Sequence, residues 1–489
     1  MRYAAPVTGD RRFRAPHEPL VDVSGGGDSS TPLLLAYSED CLYIDVYMPA
    51  NATNGDGRGL PVMLWIQGGG FTQLFNPNYN ATGLIQAAQG DAIVVTFNYR
   101  VGPYGFLASK ELAAEGNLNI ALQDQRAAMT WLQTHIEAFG GDPDRVTLFG
   151  TSSGGGSMLL QLFAYGGDES KAASAKWSAG IAQSVYLPSI YTVEQMEFHY
   201  AALLDATNCS DVACLRSLSS DEIQAANVAT PFPGQEQVPL FGYGPVVDGG
   251  LVPDTTLNLL AEGRFLKNRP MIIGTSDSEG TLFAPQANTT DDINSFMKTQ
   301  LPNLTTSTLE ELGTIYADTP ATFPGVTADV SPLFYRAAGI YGDASFACPA
   351  VTIADGLSRA GVPVYLCLDR IQDPVEVAAG ILTPHTWEVQ AVWGPQYATN
   401  YAALPGADGF GAGGPNAAVV LVVQAYWTSF ARSSGDPNAL REGGAPVWEE
   451  YGLGRFLNLE TNATYMATLS QERTERCVFW AGLKQQTDQ

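Results

Sequence analysis

A serine flanked by glycines follows an apolar segment of the chain. Residues 146–149 form a β-rich run, and residues 150–154 read Gly-Thr-Ser-Ser-Gly. A serine in a tight strand-to-helix turn presents its Oγ to a crevice, and flanking glycines avoid collisions with neighbouring backbone. Residues 157–162 continue with a helical pattern, as such a turn requires. The context predicts that Ser152 is a nucleophile; a Gly/Ser-rich turn without chemistry is the alternative.

A glycine triplet follows a second apolar run. Residues 62–66 are β-rich, and residues 67–71 read Gln-Gly-Gly-Gly-Phe. Glycines let the backbone approach a reacting carbonyl and point N–H groups at the oxygen that becomes negative. We predict an oxyanion hole from the amides of Gly69, Gly70 and Ser153, in which loss of one donor costs roughly 3 kcal/mol. A plain flexible turn is the alternative.

The sequence offers only four histidines as a general base. On a strand–serine–helix scaffold the histidine comes last in chain order, which disfavours His17 and His135. His199 falls in a predicted helix over residues 194–204. His385 lies in a predicted loop at residues 382–388, so elimination favours His385 as the base. The alternative is that His385 is an exposed loop residue without a function.

An acid that orients the histidine should follow a strand between the serine and the histidine. Residues 272–280 read Ile-Ile-Gly-Thr-Ser-Asp-Ser-Glu-Gly and meet this requirement. The residues alone leave Asp277 and Glu279 as competing candidates, and either could equally be a solvated turn residue.

The elements that must position these residues alternate between strand-like and helix-like patterns. Helices between strands imply crossover connections and a mostly parallel sheet covered on both faces. We predict one doubly wound α/β domain over residues 1–489, with reactive groups at the carboxyl ends of the strands. The predicted strands are residues 62–66, 92–97, 146–149, 271–273 and 364–368, and one predicted helix is residues 121–139.

Composition excludes several classes of function. The chain has 489 residues, 45% of them hydrophobic, with a net charge of −25 and no long basic cluster. Nucleic acid is therefore not expected as a partner. No apolar run reaches the ~18 residues that span a bilayer. The six cysteines include no CxxC pair and no histidine neighbour, so we expect no metal and no other cofactor.

Sequons and cysteines favour an extracellular protein. Close spacing of Cys209 and Cys214 would allow a short disulfide loop. The chain opens without an apolar signal segment, so we infer secretion from the body of the protein and expect a missing N-terminal part. Asn-X-Ser/Thr triplets, which predict N-glycosylation, occur at Asn51, Asn80, Asn208, Asn288, Asn303 and Asn462.

Several further segments resemble the type-B carboxylesterase/lipase family, which includes cholinesterases and fungal secreted esterases. The resemblance implies an α/β-hydrolase fold lacking its first strands here. Ser278-Glu279-Gly280-Thr281 is similar to the family's acid segment, which implies Glu279 as the acid, and the spacing of His385 and Glu388 resembles its His-Gly-x-Glu. The matching segments are residues 10–16, 38–46, 67–71, 98–102, 124–126 and 139–143.

The same resemblance implies two disulfides, Cys209–Cys214 and Cys348–Cys477. Cys41 matches a cysteine whose usual partner lies upstream, so Cys41 and Cys367 are expected to be free or differently paired. Thr151 stands where many members carry Glu, which suggests an altered substrate preference.

Together these features predict a serine hydrolase that cleaves a small-molecule or lipid carboxylic ester through an acyl-enzyme. A true lipase acting on long-chain acylglycerols is one alternative. A non-catalytic, cholinesterase-like binding module is another.

Overall fold

A nine-stranded sheet organises the protein. The computed structural model describes residues 1, 38–50, 52, 59–74, 79–398 and 407–489. The sheet order is β1-β3-β2-β4-β5-β8-β9-β10-β11, and β6 and β7 form a separate two-stranded sheet. The strands are β1 Ile44–Tyr47, β2 Leu60–Ile66, β3 Ile93–Phe97, β4 Gly141–Thr151, β5 Ala179–Gln183, β6 Tyr191–Thr192, β7 Val246–Val247, β8 Met271–Ser276, β9 Val364–Arg370, β10 Arg455–Glu460 and β11 Thr464–Thr468.

The centre of the sheet is parallel from β3 to β10. Its strands are buried along nearly their whole length, as expected where helices cover both faces. The predicted α/β class with a mostly parallel sheet is therefore confirmed. Only the outer pairs, β1 with β3 and β10 with β11, are antiparallel.

Helices connect the strands and cover the sheet. Predicted helix 121–139 is helical from Ile120 to His135 and ends in a 3₁₀ turn. The α-helices are α1 Thr82–Ala87, α2 Pro103–Phe106, α3 Lys110–Ala114, α4 Ile120–His135, α5 Ser153–Leu162, α6 Glu169–Ala172, α7 Val193–Thr207, α8 Val212–Ser217, α9 Ser220–Ala226, α10 Thr256–Ala261, α11 Thr290–Gln300, α12 Thr306–Ile315, α13 Phe334–Gly342, α14 Cys348–Arg359, α15 Pro374–Ala378, α16 Val389–Trp393, α17 Ala417–Arg432, α18 Gln471–Gly482 and α19 Lys484–Thr487.

The core lies on both faces of the sheet. One large cluster includes Leu64 of β2 and Leu159 of α5, and a second includes Trp65 and Trp427 on the other face. Successive residues of a strand point to opposite faces, so Leu64 and Trp65 contribute to different clusters. This two-sided packing fixes the positions of the strand ends.

The protein contains two disulfide bonds. Cys209 and Cys214 close a short loop, and Cys348 at the start of α14 is bonded to Cys477 in α18. Cys41 is a half-buried free thiol and Cys367 a buried one.

The sequon asparagines lie on the surface wherever the structure describes them. Five are exposed, and the sixth, Asn51, is outside the described residues. The exposed asparagines are Asn80, Asn208, Asn288, Asn303 and Asn462. In the described part of the chain, no helix is long and apolar enough to cross a membrane.

Candidate active site

Ser152 occupies a sharp turn between β4 and α5. Its φ of 57° and ψ of −129° are unusual for a residue with a side chain. A Cβ at Gly150 would lie 2.6 Å from Ile66 O, and a Cβ at Gly154 would lie 2.0 Å from the same oxygen. The glycines on both sides are therefore required by the close approach of β2. The N–H of Ser152 donates to Gln183 O at 3.0 Å, which anchors the turn to β5.

The glycine loop after β2 lies against this turn. A Cβ at Gly68 would be 2.9 Å from Ser152 Cβ, so only glycine fits there. The Phe71 N–H donates to Ser153 Oγ at 3.3 Å, and the Tyr99 hydroxyl donates to Gln67 O at 2.7 Å. These bonds hold the loop beside Ser152.

Three backbone donors are left open beside the serine. The N–H groups of Gly69, Gly70 and Ser153 donate no hydrogen bond to any residue that the structure describes. Gly70 has a φ of 61°, in the left-handed region that favours glycine. Its Cα lies against the ring of Phe241, and a Cβ added at Gly70 would be 2.0 Å from that ring. The loop therefore presents backbone rather than side chains to the space near Ser152.

His385 and Glu279 are in direct contact, although they are 106 residues apart. His385 Nδ1 lies 2.5 Å from Glu279 Oε2. The other oxygen of Glu279 accepts hydrogen bonds from Ser276 N at 2.6 Å and from Thr275 Oγ1 at 3.0 Å. Both side chains are buried, with exposures of 7% for His385 and 2% for Glu279. The contact fixes the orientation of the imidazole.

The second imidazole nitrogen is left without a partner. His385 Nε2 is buried and has no hydrogen-bond partner among the described residues. The ring packs on Phe346 at 4.5 Å, and Phe346 packs on Tyr186 at 5.5 Å. The Tyr186 N–H donates to Ser152 O at 3.2 Å. A chain of contacts therefore connects the histidine with the serine turn, with no direct hydrogen bond between the side chains of His385 and Ser152.

The competing carboxylate, Asp277, points away from the histidine. Its Oδ1 lies 3.4 Å from Arg370 Nη2 and 3.5 Å from Arg473 Nη2, and its side chain is 37% exposed. Of the two candidates for the acid, the structure brings only Glu279 to His385.

A second buried carboxyl group links the serine turn to the histidine loop. Glu388 Oε1 accepts hydrogen bonds from Gln183 Nε2 at 3.2 Å and Thr151 Oγ1 at 3.4 Å. Its Oε2 accepts one from Ser184 Oγ at 3.3 Å, and Ser184 Oγ accepts one from Thr386 N at 3.1 Å. The sequence predicted no role for Glu388; its only signal was the three-residue spacing from His385.

Burial changes the acidity of these carboxyl groups. Burial, and after it the negative charge of Glu279, raise the pKa of Glu388 to about 7. Burial followed by repulsion from Glu388 raises the pKa of Asp369 well above its ordinary value. Crowded carboxyl groups in a region of low dielectric cannot all ionise easily. A proton is therefore retained on this group of carboxyls more readily than in water.

The other histidines lie elsewhere or outside the described residues. His199 is buried in α7, stacked on Tyr243 at 4.6 Å, and burial lowers its pKa to about 4. His135 ends α4, just before β4 begins, whereas the serine turn follows the end of that strand. His17 is outside the described residues. No group of three or more His, Cys, Asp or Glu in the described segments is placed to hold a metal ion.

Aromatic rings form the wall of the crevice. Phe241 contacts Gly70 and packs on Tyr186 at 5.2 Å and on Phe283 at 6.0 Å. Phe283 packs in turn on His385 at 5.2 Å. Tyr186 and Phe241 also border a cavity of about 40 Å³.

Known proteins resemble this chain in sequence and in overall fold. A profile of the Carboxylesterase family matches residues 1–480. The chain is similar to Lipase 1 of Geotrichum candidum, 35% identical over 68% of this chain and 61% of the lipase. It is also similar to a secreted lipase of Arthroderma benhamiae, 34% identical over 68% of this chain and 60% of the lipase. The chain thus spans about three fifths of the length of these lipases. The crystal structure of Aspergillus niger EstA superimposes with a TM-score of 0.90 at 35% identity, covering 100% of this chain and 94% of EstA.

Proposed function

Because the chain belongs to the carboxylesterase family, we propose that it hydrolyses carboxylic esters with Ser152 as nucleophile, His385 as general base and Glu279 as the orienting acid. The contact of 2.5 Å between His385 Nδ1 and Glu279 Oε2 carries the proposal. It leaves Nε2 as the free nitrogen, the one that must take the serine proton.

The proposed reaction has two halves. Ser152 Oγ attacks the ester carbonyl carbon while His385 Nε2 accepts its proton, and the carbonyl oxygen becomes negative. The open N–H groups of Gly69, Gly70 and Ser153 would stabilise this oxygen. The imidazolium then protonates the leaving alcohol, and an acyl-serine remains. A water molecule activated by His385 releases the acid and restores the serine.

Glu279 has two functions in this scheme. Its hydrogen bond fixes the tautomer that carries the proton on Nδ1, and its charge stabilises the imidazolium. Two hydrogen bonds, from Ser276 N and Thr275 Oγ1, hold the carboxylate in place.

We favour a small acyl group in the substrate. Phe241 covers Gly70 directly, which leaves little room for a long acyl chain beside the glycine loop. Similarity to lipases keeps a long-chain acylglycerol as the second candidate. A binding module without catalysis is the third, and the free Oγ of Ser152 and the oriented imidazole argue against it.

We also propose that the protein works outside the cell. Its two disulfides are of the kind that persists in an oxidising compartment, and five exposed sequons could carry glycans. Similarity to a secreted lipase points the same way.

The test compares p-nitrophenyl esters of two to sixteen acyl carbons, assayed as monomers and as emulsions. We expect the highest kcat/KM for short acyl groups, loss of at least about 10⁴-fold in Ser152→Ala, and a similar loss in His385→Ala. Higher activity on emulsified long-chain esters would favour the lipase. Ester hydrolysis that persists in Ser152→Ala would overturn the assignment of the nucleophile, and a wild type without hydrolysis would favour the binding module.

A further inference from the structure

Asp277, the carboxylate that does not reach His385, occupies a bridging position. It stands two residues before Glu279, where the chain leaves β8 and enters the 3₁₀ turn Glu279–Leu282. The same oxygen, Oδ1, faces the guanidinium groups of Arg370 at the end of β9 and Arg473 in α18. Two arginines from separate elements therefore converge on the short segment that carries Glu279.

Arg473 is itself held firmly on its other side. Its Nη1 donates to Asp343 Oδ1 at 3.1 Å, and Asp343 Oδ2 accepts a hydrogen bond from the Tyr316 hydroxyl at 2.7 Å. The helix that carries Arg473 is joined to α14 by the Cys348–Cys477 disulfide. Arg473 thus offers Asp277 a fixed point.

The segment around Glu279 packs closely on one helix and also borders an open space. A Cβ at Gly280 would lie 1.9 Å from Ala338 O, so the turn lies directly on α13. A cavity of about 400 Å³ is bordered by the turn, by α13 and by Arg473 and Arg476. Close packing on α13 therefore supports the turn at Gly280, whereas Asp277 meets Arg473 beside this cavity.

We propose that Asp277 is a positioning residue, which holds the turn carrying Glu279 against His385 by bridging to Arg473 and Arg370. The inference rests on the proposed function of Glu279 as the orienting acid. Since Asp277 is 37% exposed, the bridge contributes little to global stability. Its effect is local, because misplacing a catalytic group by about 1 Å can cost up to about 10²-fold in rate.

The test measures kcat and KM of Asp277→Asn and of Arg473→Gln, two variants that each remove one partner of the same ion pair. We expect kcat to fall about 5- to 20-fold in each variant, with KM within about twofold of the wild type, and the double variant to lose no more than the worse single variant. Asp355→Asn is the matched control, because Asp355 is 41% exposed and pairs with Arg359 one turn further along the same helix. It should leave kcat unchanged.

Two readouts separate a positioning role from a direct effect of charge on the imidazole. A charge effect would move the acidic limb of the kcat/KM profile in opposite directions in the two variants, whereas loss of position lowers kcat in both. In a Glu279→Gln background, Asp277→Asn should cause no further loss, because the residue acts only through Glu279. Circular dichroism checks folding, and Arg473→Gln carries the test alone if Asp277→Asn does not fold.

Unchanged kcat in a folded variant, opposite pH shifts without a common loss, or full additivity with Glu279→Gln would each overturn the proposal. These results differ from failure of the proposed function, in which the wild type itself would show no hydrolysis dependent on Ser152.

Discussion

Glu388→Gln should alter how the stability of the protein depends on pH. Glu388 is buried beside Glu279, and its pKa is raised from an ordinary 4.5 to about 7. A carboxyl group with a higher pKa in the folded chain binds a proton more tightly there. Its contribution to stability is therefore fully present below about 4.5 and is lost as the pH rises through about 7.

The size of this effect follows from the shift in proton affinity. A rise of the pKa of Glu388 from 4.5 to about 7 corresponds to roughly 3 kcal/mol of unfolding free energy, because each tenfold change in proton affinity is worth about 1.4 kcal/mol. Unfolding entropy of about 2.1 cal/mol/K per residue gives roughly 1 kcal/mol/K for a chain of this length, so the expected change in Tm is about 3 °C. Glutamine stays neutral at every pH and removes this contribution.

The assay is thermal unfolding at pH 5 and pH 8 for the wild type, Glu388→Gln and the exposed control Glu236→Gln. The Tm of the wild type should drop by about 3 °C more than that of Glu388→Gln between the two pH values. The control should follow the wild type. If Tm dropped equally in all three proteins, the idea that burial makes Glu388 retain its proton would be refuted.

Further predictions concern packing and shape. Gly154→Ala should abolish labelling of Ser152 by a fluorophosphonate, because the new Cβ would lie 2.0 Å from Ile66 O. Gly313→Ala is the control: Gly313 lies in a helix, and a Cβ added there would meet no neighbouring atom within 4 Å. This variant should label normally, and its free energy of unfolding should rise by up to about 1 kcal/mol. Phe241→Ala should raise kcat/KM for longer acyl chains relative to short ones, measured on the p-nitrophenyl series. The double variant Cys348→Ser/Cys477→Ser should lose about 2–5 kcal/mol of unfolding free energy in urea titrations, since the bond closes a loop with a sequence separation of 129.

Local patterns in the sequence predicted five of the eleven strands, β2, β3, β4, β8 and β9, and the serine turn. The apolar run at residues 146–149 lies inside β4, and the glycines around Ser152 are explained by the close approach of Ile66 O. Strands and tight turns depend mainly on residues that are close together in the chain, so a short sequence motif is enough to predict them. Strands β1, β5, β6, β7, β10 and β11 were not predicted; β11 has no buried residue and therefore gives no apolar signal.

Long-range side-chain directions could not be read from the sequence. The residues alone left Asp277 and Glu279 as equal candidates for the acid, and only the family resemblance implied Glu279. In the fold Asp277 faces arginines and Glu279 contacts the imidazole. The role of Glu388 depends on Gln183 and Thr151, which are 205 and 237 residues away. These contacts exist because separate strand ends meet at one edge of the sheet.

The most direct test of the proposed chemistry is the site of covalent labelling. Intact protein is treated with a fluorophosphonate, digested and mapped by mass spectrometry, with Ser152→Ala and Glu279→Gln in parallel. We predict one adduct, on Ser152, with no labelling of the alanine variant and slower labelling of the glutamine variant. An adduct on another serine, or a rate that does not respond to Glu279→Gln, would contradict the proposed arrangement of serine, histidine and acid.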